Sequence, residues 1–439
     1  MQRKTRFALV LAAAACAAAV AFAPPPASAQ EPDRAKIAEL QKSGLECYQK
    51  KDWACFLDAS RQVAALLPGN LRALYNLACA EARSGDASGA AAHLQTILDR
   101  RLDLGMEQDD DFAAVWKSPA FEPVVRKLAA LRVPVSTSTV AFRLPQKDLL
   151  TEGIAWDPGS KAFFVSSVHH RKIVRRAADG RVADFVPEGK DGIQAVLALR
   201  VDAPRHLLWA CSAAVPEMIG WEKSLEGSSG LFAFDLRSGK LVRRADLPKD
   251  GKHVLNDLTV LDNGDVYATD SAGSGVYRLR ASGKTLEPFV APGVFRSPQG
   301  IALARDGKRL WIADYAYGIW SVDLATGARE PLHGPDDVPL AGVDGLLARG
   351  DSLFVTQNGI RPQRVVRLVL DAAGKEVVRG EMLELNSAEL TEPTLGVVAG
   401  SDLYYVANAG WDDFDKDGKM FPMEKLHEPT ILKVTLPGK

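Results

Sequence analysis

The chain has 439 residues with 54 Lys and Arg against 55 Asp and Glu, a formal net charge of -1 that leaves no electrostatic footprint for nucleic acid. Its length sets a prior of two to three domains. Its 5 cysteines are too few for a disulfide framework to hold such a fold.

The first residues read as a leader: basic MQRKTR, apolar FALVLAAAACAAAVAFA, then PPPASAQ with an Ala-x-Ala pattern that predicts cleavage after Ala29. The competing reading, a membrane anchor, has an apolar run short for a bilayer span, and no later segment is apolar enough to cross one. Residues 1–29 are therefore expected to be a signal peptide, with the mature protein secreted across the inner membrane and periplasmic. Secretion permits disulfides. Cys47 and Cys55 flank a predicted helical turn and either pair or act as small buried hydrophobes, whereas Cys211 follows LLWA in a strand and reads as core.

Residues 33–134 carry a helical pattern rich in Ala and Leu. Two hairpin copies align, QKKDWACFLDASRQVAALLPGN with RSGDASGAAAHLQTILDRRLDL, placing Asp52 on Asp86 at an offset of 34 residues. That offset is the tetratricopeptide period, and the segment resembles such repeats from about Ala35 to Leu104, with DFAAVWKSPAFEPVVRKLAAL as a cap. Such a module either presents a groove to a protein partner or docks on the domain that follows.

From residue 137 to 439 one grammar recurs: a polar residue, an apolar strand, a tight turn, a second strand, a glycine-rich loop and a third strand. HVLNDLTVLDNGDVYATDSAGSGVYRLRASGK shows it most clearly. Copies start at Thr151, Gly192, Val254, Ser297, Ala341 and Thr391. Spacing of about 40 to 50 residues predicts four-stranded propeller blades. The expected fold class is thus α + β multidomain, a small α-helical hairpin repeat domain followed by a six-bladed β-propeller. STVAFRLP, ahead of the first blade, is expected to close the ring by pairing with the last.

The turns on one face are short (DPGSK, DNGD, RDGKR), while the loops on the other are long and varied, so the long-loop face is the expected binding mouth. Glu152, Gln194, Asn256, Gln299, Asp344 and Thr394-Leu395 begin the innermost strands there. Such an oxygen-rich ring suits a hard cation such as calcium, or else plugs the channel with water.

EGIAWDPGSKAFFVSS, SPQGIALARDGKRLWIADYAYGIWSVDL and VDGLLARGDSLFVTQ resemble blades of the gluconolactonase, regucalcin and luciferin-regenerating-enzyme family. LNDLTVLDNGDVYATD is also similar to a stretch of paraoxonases and strictosidine-synthase-like propellers. The resemblance spans about Thr137 to Lys439. It implies metal ligation by Glu152, Asn256, Gln299 and Asp344, with Asn256 also facing substrate. Gln299 stands where the family usually has Asn, and Val254 where sugar lactonases carry Arg, so the fold transfers and the substrate does not.

The expected activity is a secreted calcium-dependent hydrolase of the lactonase or esterase type. The alternative is a non-catalytic scaffold or ligand sensor that uses the helices for protein interaction. Calcium would polarise a carbonyl of a small-molecule substrate at the mouth and stabilise the oxyanion that forms. Asp344 is the expected base, Asp257 the reserve, and His169, His170 and His253 are further acid or base candidates against a reading as solvated loop imidazoles. Asp413, Asp415, Asp417, Gly418 and Glu424 have EF-hand loop spacing, but Pro422 and the lack of an entering helix favour an acidic hairpin. Met218, Trp221, Tyr315, Tyr317, Trp411 and Phe421 either line an apolar pocket or pack the long loops together.

Overall fold

The computed structural model describes residues 34–415 and 418–436. The leader therefore lies outside the described residues, as does Asp417. The chain separates into two compact units, Met1–Gly69 and Asn70–Lys439.

The first unit holds α1 (Arg34–Gln49) and α2 (Trp53–Leu66), a helical hairpin. Asp52 caps α2 by accepting from the Cys55 N–H at 3.1 Å, satisfying a donor the first helical turn leaves over. Cys47 and Cys55 are joined by a disulfide across the turn, so of the two readings open in the sequence the pairing is the one realised.

The second unit begins with the hairpin α3 (Leu71–Arg83) and α4 (Ala87–Asp99), followed by α5 (Glu122–Leu131) against α4. Asp86 caps α4 through the Gly89 N–H at 2.9 Å, the same job Asp52 performs 34 residues earlier. What the alignment detected is this shared cap and hairpin. The segment after α4 is tied to a propeller loop: Arg364, 1% exposed, donates to the Arg101 carbonyl at 2.7 Å, and the Asp103 N–H donates to the Arg361 carbonyl at 2.8 Å. Burial lowers the Arg364 guanidinium to about 10.

Six antiparallel sheets follow. Their innermost strands are Ile154–Asp157, Ala195–Asp202, Leu255–Val260, Pro298–Leu303, Val343–Arg349 and Gly396–Ala399. Each opens a sheet whose strands run outward in order, which is a six-bladed propeller. Thr139–Arg143 pairs with Thr430–Thr435 as the outer strand of the last blade, closing the ring with an N-terminal segment as the sequence predicts. The fifth blade gains an unforeseen fifth strand, since Val135–Ser136 pairs with the outer strand Val377–Leu385. Packing between blades supplies the core: Trp209, Cys211 and Leu231 of blade two lie in one buried cluster with Leu258, Val266 and Ala268 of blade three. No helix among the described residues is long and apolar enough to cross a membrane.

Candidate functional site

At three of the inner strands the neighbouring blade comes so close that the position after the site residue must be small. A Cβ on Gly153 would stand 2.6 Å from the Leu197 carbonyl oxygen. One on Gly300 would stand 2.6 Å from both the Asp344 carbonyl oxygen and the Leu346 nitrogen, and one on Gly345 would stand 2.6 Å from the Thr394 carbonyl oxygen. This explains the Glu-Gly, Gln-Gly and Asp-Gly pairs in the sequence.

The same positions break strand register. Pairing jumps from Leu255 to Leu258, from Pro298 to Ile301 and from Val343 to Leu346, so Asn256, Gln299 and Asp344 each sit in a β-bulge, which re-aims a side chain. Backbone N–H groups beside the site residues find second-strand hydroxyls. Ser166 Oγ accepts from the Gly153 N–H at 2.7 Å, Thr269 Oγ1 from the Asp257 N–H at 3.1 Å and Thr356 Oγ1 from the Gly345 N–H at 2.8 Å. Thr269 and Thr356 then donate to the next blade, to the carbonyls of Gln299 at 2.5 Å and Thr394 at 2.6 Å. Between the last blade and the first, Thr394 Oγ1 donates to the Glu152 carbonyl at 2.9 Å.

Glu152, Asn256, Gln299 and Asp344 thereby line one cavity of about 290 Å³, together with Tyr315, Asn358, Gln363, Glu392 and Trp411. The lining holds three carboxylates and four carboxamides and, among the described residues, no Lys, Arg or His. All three carboxylates resist ionisation. Burial, followed by the negative charge of Asp344, holds Glu152 well above the usual carboxylate range, against the opposing hydrogen bond from the Trp411 indole N–H to its Oε1. Burial lifts Asp344 to about 7 despite a 2.5 Å hydrogen bond from Asn358 Nδ2 to its Oδ2. Burial likewise lifts Glu392 to about 7, although its Oε2 accepts from the Gly410 N–H at 3.0 Å and the Trp411 N–H at 2.8 Å. Tyr315 donates to Asn358 Oδ1 at 2.8 Å, so Asn358 is held at both ends, and burial raises the Tyr315 phenol as well.

Other expectations are redistributed. Gln194 is not in the lining; its amide donates back to the Gly192 carbonyl at 3.4 Å. Asp257 is 1% exposed and accepts from the Leu258 N–H at 2.7 Å and the Ile301 N–H at 3.1 Å, with Arg200 at 3.5 Å. Facing between blades, it is an inter-blade tie and not a reserve base. None of the three histidines lines the cavity. His169 Nδ1 meets the Glu217 carbonyl at 2.5 Å, and His170 lies between Asp148 and Glu188. His253, 6% exposed, lies between Asp270 at 2.5 Å and Asp250 at 3.0 Å, so it is neither a solvated imidazole nor a mouth residue.

Met218 and Trp221 pack in a buried cluster with Trp411, while Tyr317 is 67% exposed. In the acidic loop, Phe414 bridges Met420, and the Asp415 carboxylate accepts from the Lys419 N–H at 2.9 Å. Glu392, Asn358 and Gln363 were not singled out in the sequence. Glu392 precedes a proline two residues before the expected strand start, and the other two lie in a loop whose course the repeat does not dictate.

Among the described residues, the group of three acidic, His or Cys ligand atoms within 4.8 Å of one another is Cys79, Asp109 and Asp111, none of which lines the mouth cavity. Its members are already engaged: Asp109 accepts from Tyr75 at 2.8 Å, and Asp111 from Arg83 at 2.7 Å.

No family model matches the chain, and no curated protein matches it. Solved structures do. A luciferin-regenerating enzyme is 16% identical at a TM-score of 0.49, over 70% of this chain and 96% of that one. A calcium-binding regucalcin from Agrobacterium tumefaciens is 18% identical at 0.48, over 70% and 98%. A gluconolactonase from Xanthomonas campestris is 18% identical at 0.46, over 70% and 93%. At these values the likeness says nothing of activity, and the architecture rests on the strand pairing above.

Proposed function

We propose that the protein is a calcium-dependent hydrolase of lactones or related esters, with the cation held by Glu152, Asn256, Gln299 and Asp344. One observation carries this reading: two buried carboxylates and a partly buried third share a cavity with four carboxamides and, among the described residues, no cationic side chain. Unpaired buried charge is costly, and a divalent cation is the partner this all-oxygen donor set suits. Two carboxylates with carboxamides suffice for calcium, whose oxygen ligands come from carboxylates and amide carbonyls alike. Gln299 Nε2 donates to Ser297 Oγ at 2.9 Å, which leaves its Oε1 for this role.

When bound, the cation would polarise the substrate carbonyl and offset the negative charge that develops on it. Asn256 has no side-chain hydrogen bond among the described residues and is available to the substrate oxygen. Asp344 takes the proton of the attacking water as the ester C–O bond breaks and the leaving oxygen is protonated, giving a hydroxy acid from a lactone. Asn358, braced by Tyr315, orients that carboxylate. The leader would place the protein in the periplasm, and the Cys47–Cys55 disulfide is chemistry of an oxidising compartment. A small molecule is the mouth ligand in this reading, and the helices offer a surface to a protein partner.

The test is a calorimetric calcium titration paired with hydrolysis of a panel of lactones and aryl esters, for wild type, Glu152→Ala and Asp344→Ala. Calcium-dependent turnover lost in both variants is expected. No calcium uptake overturns the reading, and uptake without turnover of any panel member leaves a ligand sensor in its place.

A further inference from the structure

We propose that the ligand of the mouth carries a protonated amine and that Glu392 recognises it, an inference that rests on the calcium-hydrolase reading. Three carboxylates line the cavity, and a divalent cation offsets two of them. Among the described residues the lining contains no Lys, Arg or His to offset the third. Glu392 is the carboxylate outside the set that holds the cation. Two backbone donors, Gly410 N–H at 3.0 Å and Trp411 N–H at 2.8 Å, both meet its Oε2, which fixes the group and leaves Oε1 for a ligand.

The rings of Tyr315 and Trp411 line the same cavity, and a carboxylate beside aromatic rings is the chemistry that receives an ammonium group. Trp411 is itself doubly held, by its backbone on Glu392 and by its indole on Glu152, so ring and carboxylate are placed as one piece. A carboxylate- or phosphate-bearing ligand would instead meet the uncompensated carboxylate of Glu392. With about 290 Å³ available, the ligand is a small amino-substituted ring and not a long acyl chain.

The experiment is calorimetry on the calcium-loaded full chain with two lactams that resist hydrolysis and share one ring, 3-amino-2-pyrrolidinone and 2-pyrrolidinone. The aminated ring is expected to bind at least about tenfold more tightly, and Glu392→Gln to bring the two within roughly twofold. Equal affinity in wild type, or a preference that persists in Glu392→Gln, overturns the proposal. So does a calcium titration in which Glu392→Gln loses metal as completely as Asp344→Asn, since Glu392 would then be a ligand of the cation. Equal lactam binding alongside calcium-dependent lactone turnover removes the amine alone and leaves the hydrolase standing. Wild type that takes up no calcium removes both.

Discussion

Replacing Asp344 by Asn should stabilise the metal-free protein while removing a group the site needs. The Asp344 carboxyl is 8% exposed, and burial lifts it from an ordinary 3.8 to about 7. Below 3.8 it is protonated in both folded and unfolded chains and costs nothing. As pH rises, the unfolded chain ionises first while the folded one keeps its proton, so stability falls until about pH 7 and then levels off. At about 1.4 kcal/mol per pH unit, the interval corresponds to roughly 4 kcal/mol. Asn cannot ionise, and it can still accept from Asn358 Nδ2. For a unit of this size, roughly 4 kcal/mol is about 5 °C in Tm. Thermal unfolding of wild type and Asp344→Asn, both in excess EDTA, should therefore show the variant ahead by about that margin at pH 8, with the gap closing toward pH 4. Equal stability at pH 8, or a gap independent of pH, would refute the view that this carboxyl is confined in a dry cavity.

Glu392, raised from 4.5 to about 7 by burial, predicts the same sign: Glu392→Gln should gain stability over wild type as pH rises from 4.5 to 7, read by the same unfolding curves. Asp257→Ala should do the opposite, costing about 2–4 kcal/mol in denaturant unfolding, because it strands the Leu258 and Ile301 N–H groups and leaves Arg200 without its carboxylate. Gly300→Ala puts a methyl 2.6 Å from the Asp344 carbonyl, so about 1–3 kcal/mol of destabilisation should come with weakened calcium uptake, because the backbone that must shift carries Asp344. Removing the Cys47–Cys55 link opens a loop of sequence separation 8. About 2–3 kcal/mol should be lost from the first unit in the Cys47→Ser, Cys55→Ser double variant, seen as earlier loss of helical circular dichroism with the propeller transition unmoved.

How much of the site was legible follows from which signals are local. Glu152, Asn256, Gln299 and Asp344 could be placed because each begins an innermost strand, and a repeating blade gives equivalent positions equivalent places. The bulges that aim three of them were not visible, since a bulge is a relation between two strands and leaves no mark in one. Asp257 and His253 depart from their expected places for a related reason. One residue's step along a strand turns a side chain from the channel to the gap between blades, and His253 is enclosed by Asp250 and Asp270, the second of which lies on the next strand.

By itself, then, the sequence determined what short-range physics controls: the hairpin helices with their Asp52 and Asp86 caps, the six strand-turn-strand repeats and the glycines that follow three of the site residues. Ring closure decided the rest. Only when the last blade meets the first does Glu392 come beside Glu152, and only a folded loop brings Trp411 against both. The shared burial that lifts these carboxylates is a property of the assembled cavity, because desolvation depends on every neighbour at once and on none of them in sequence order.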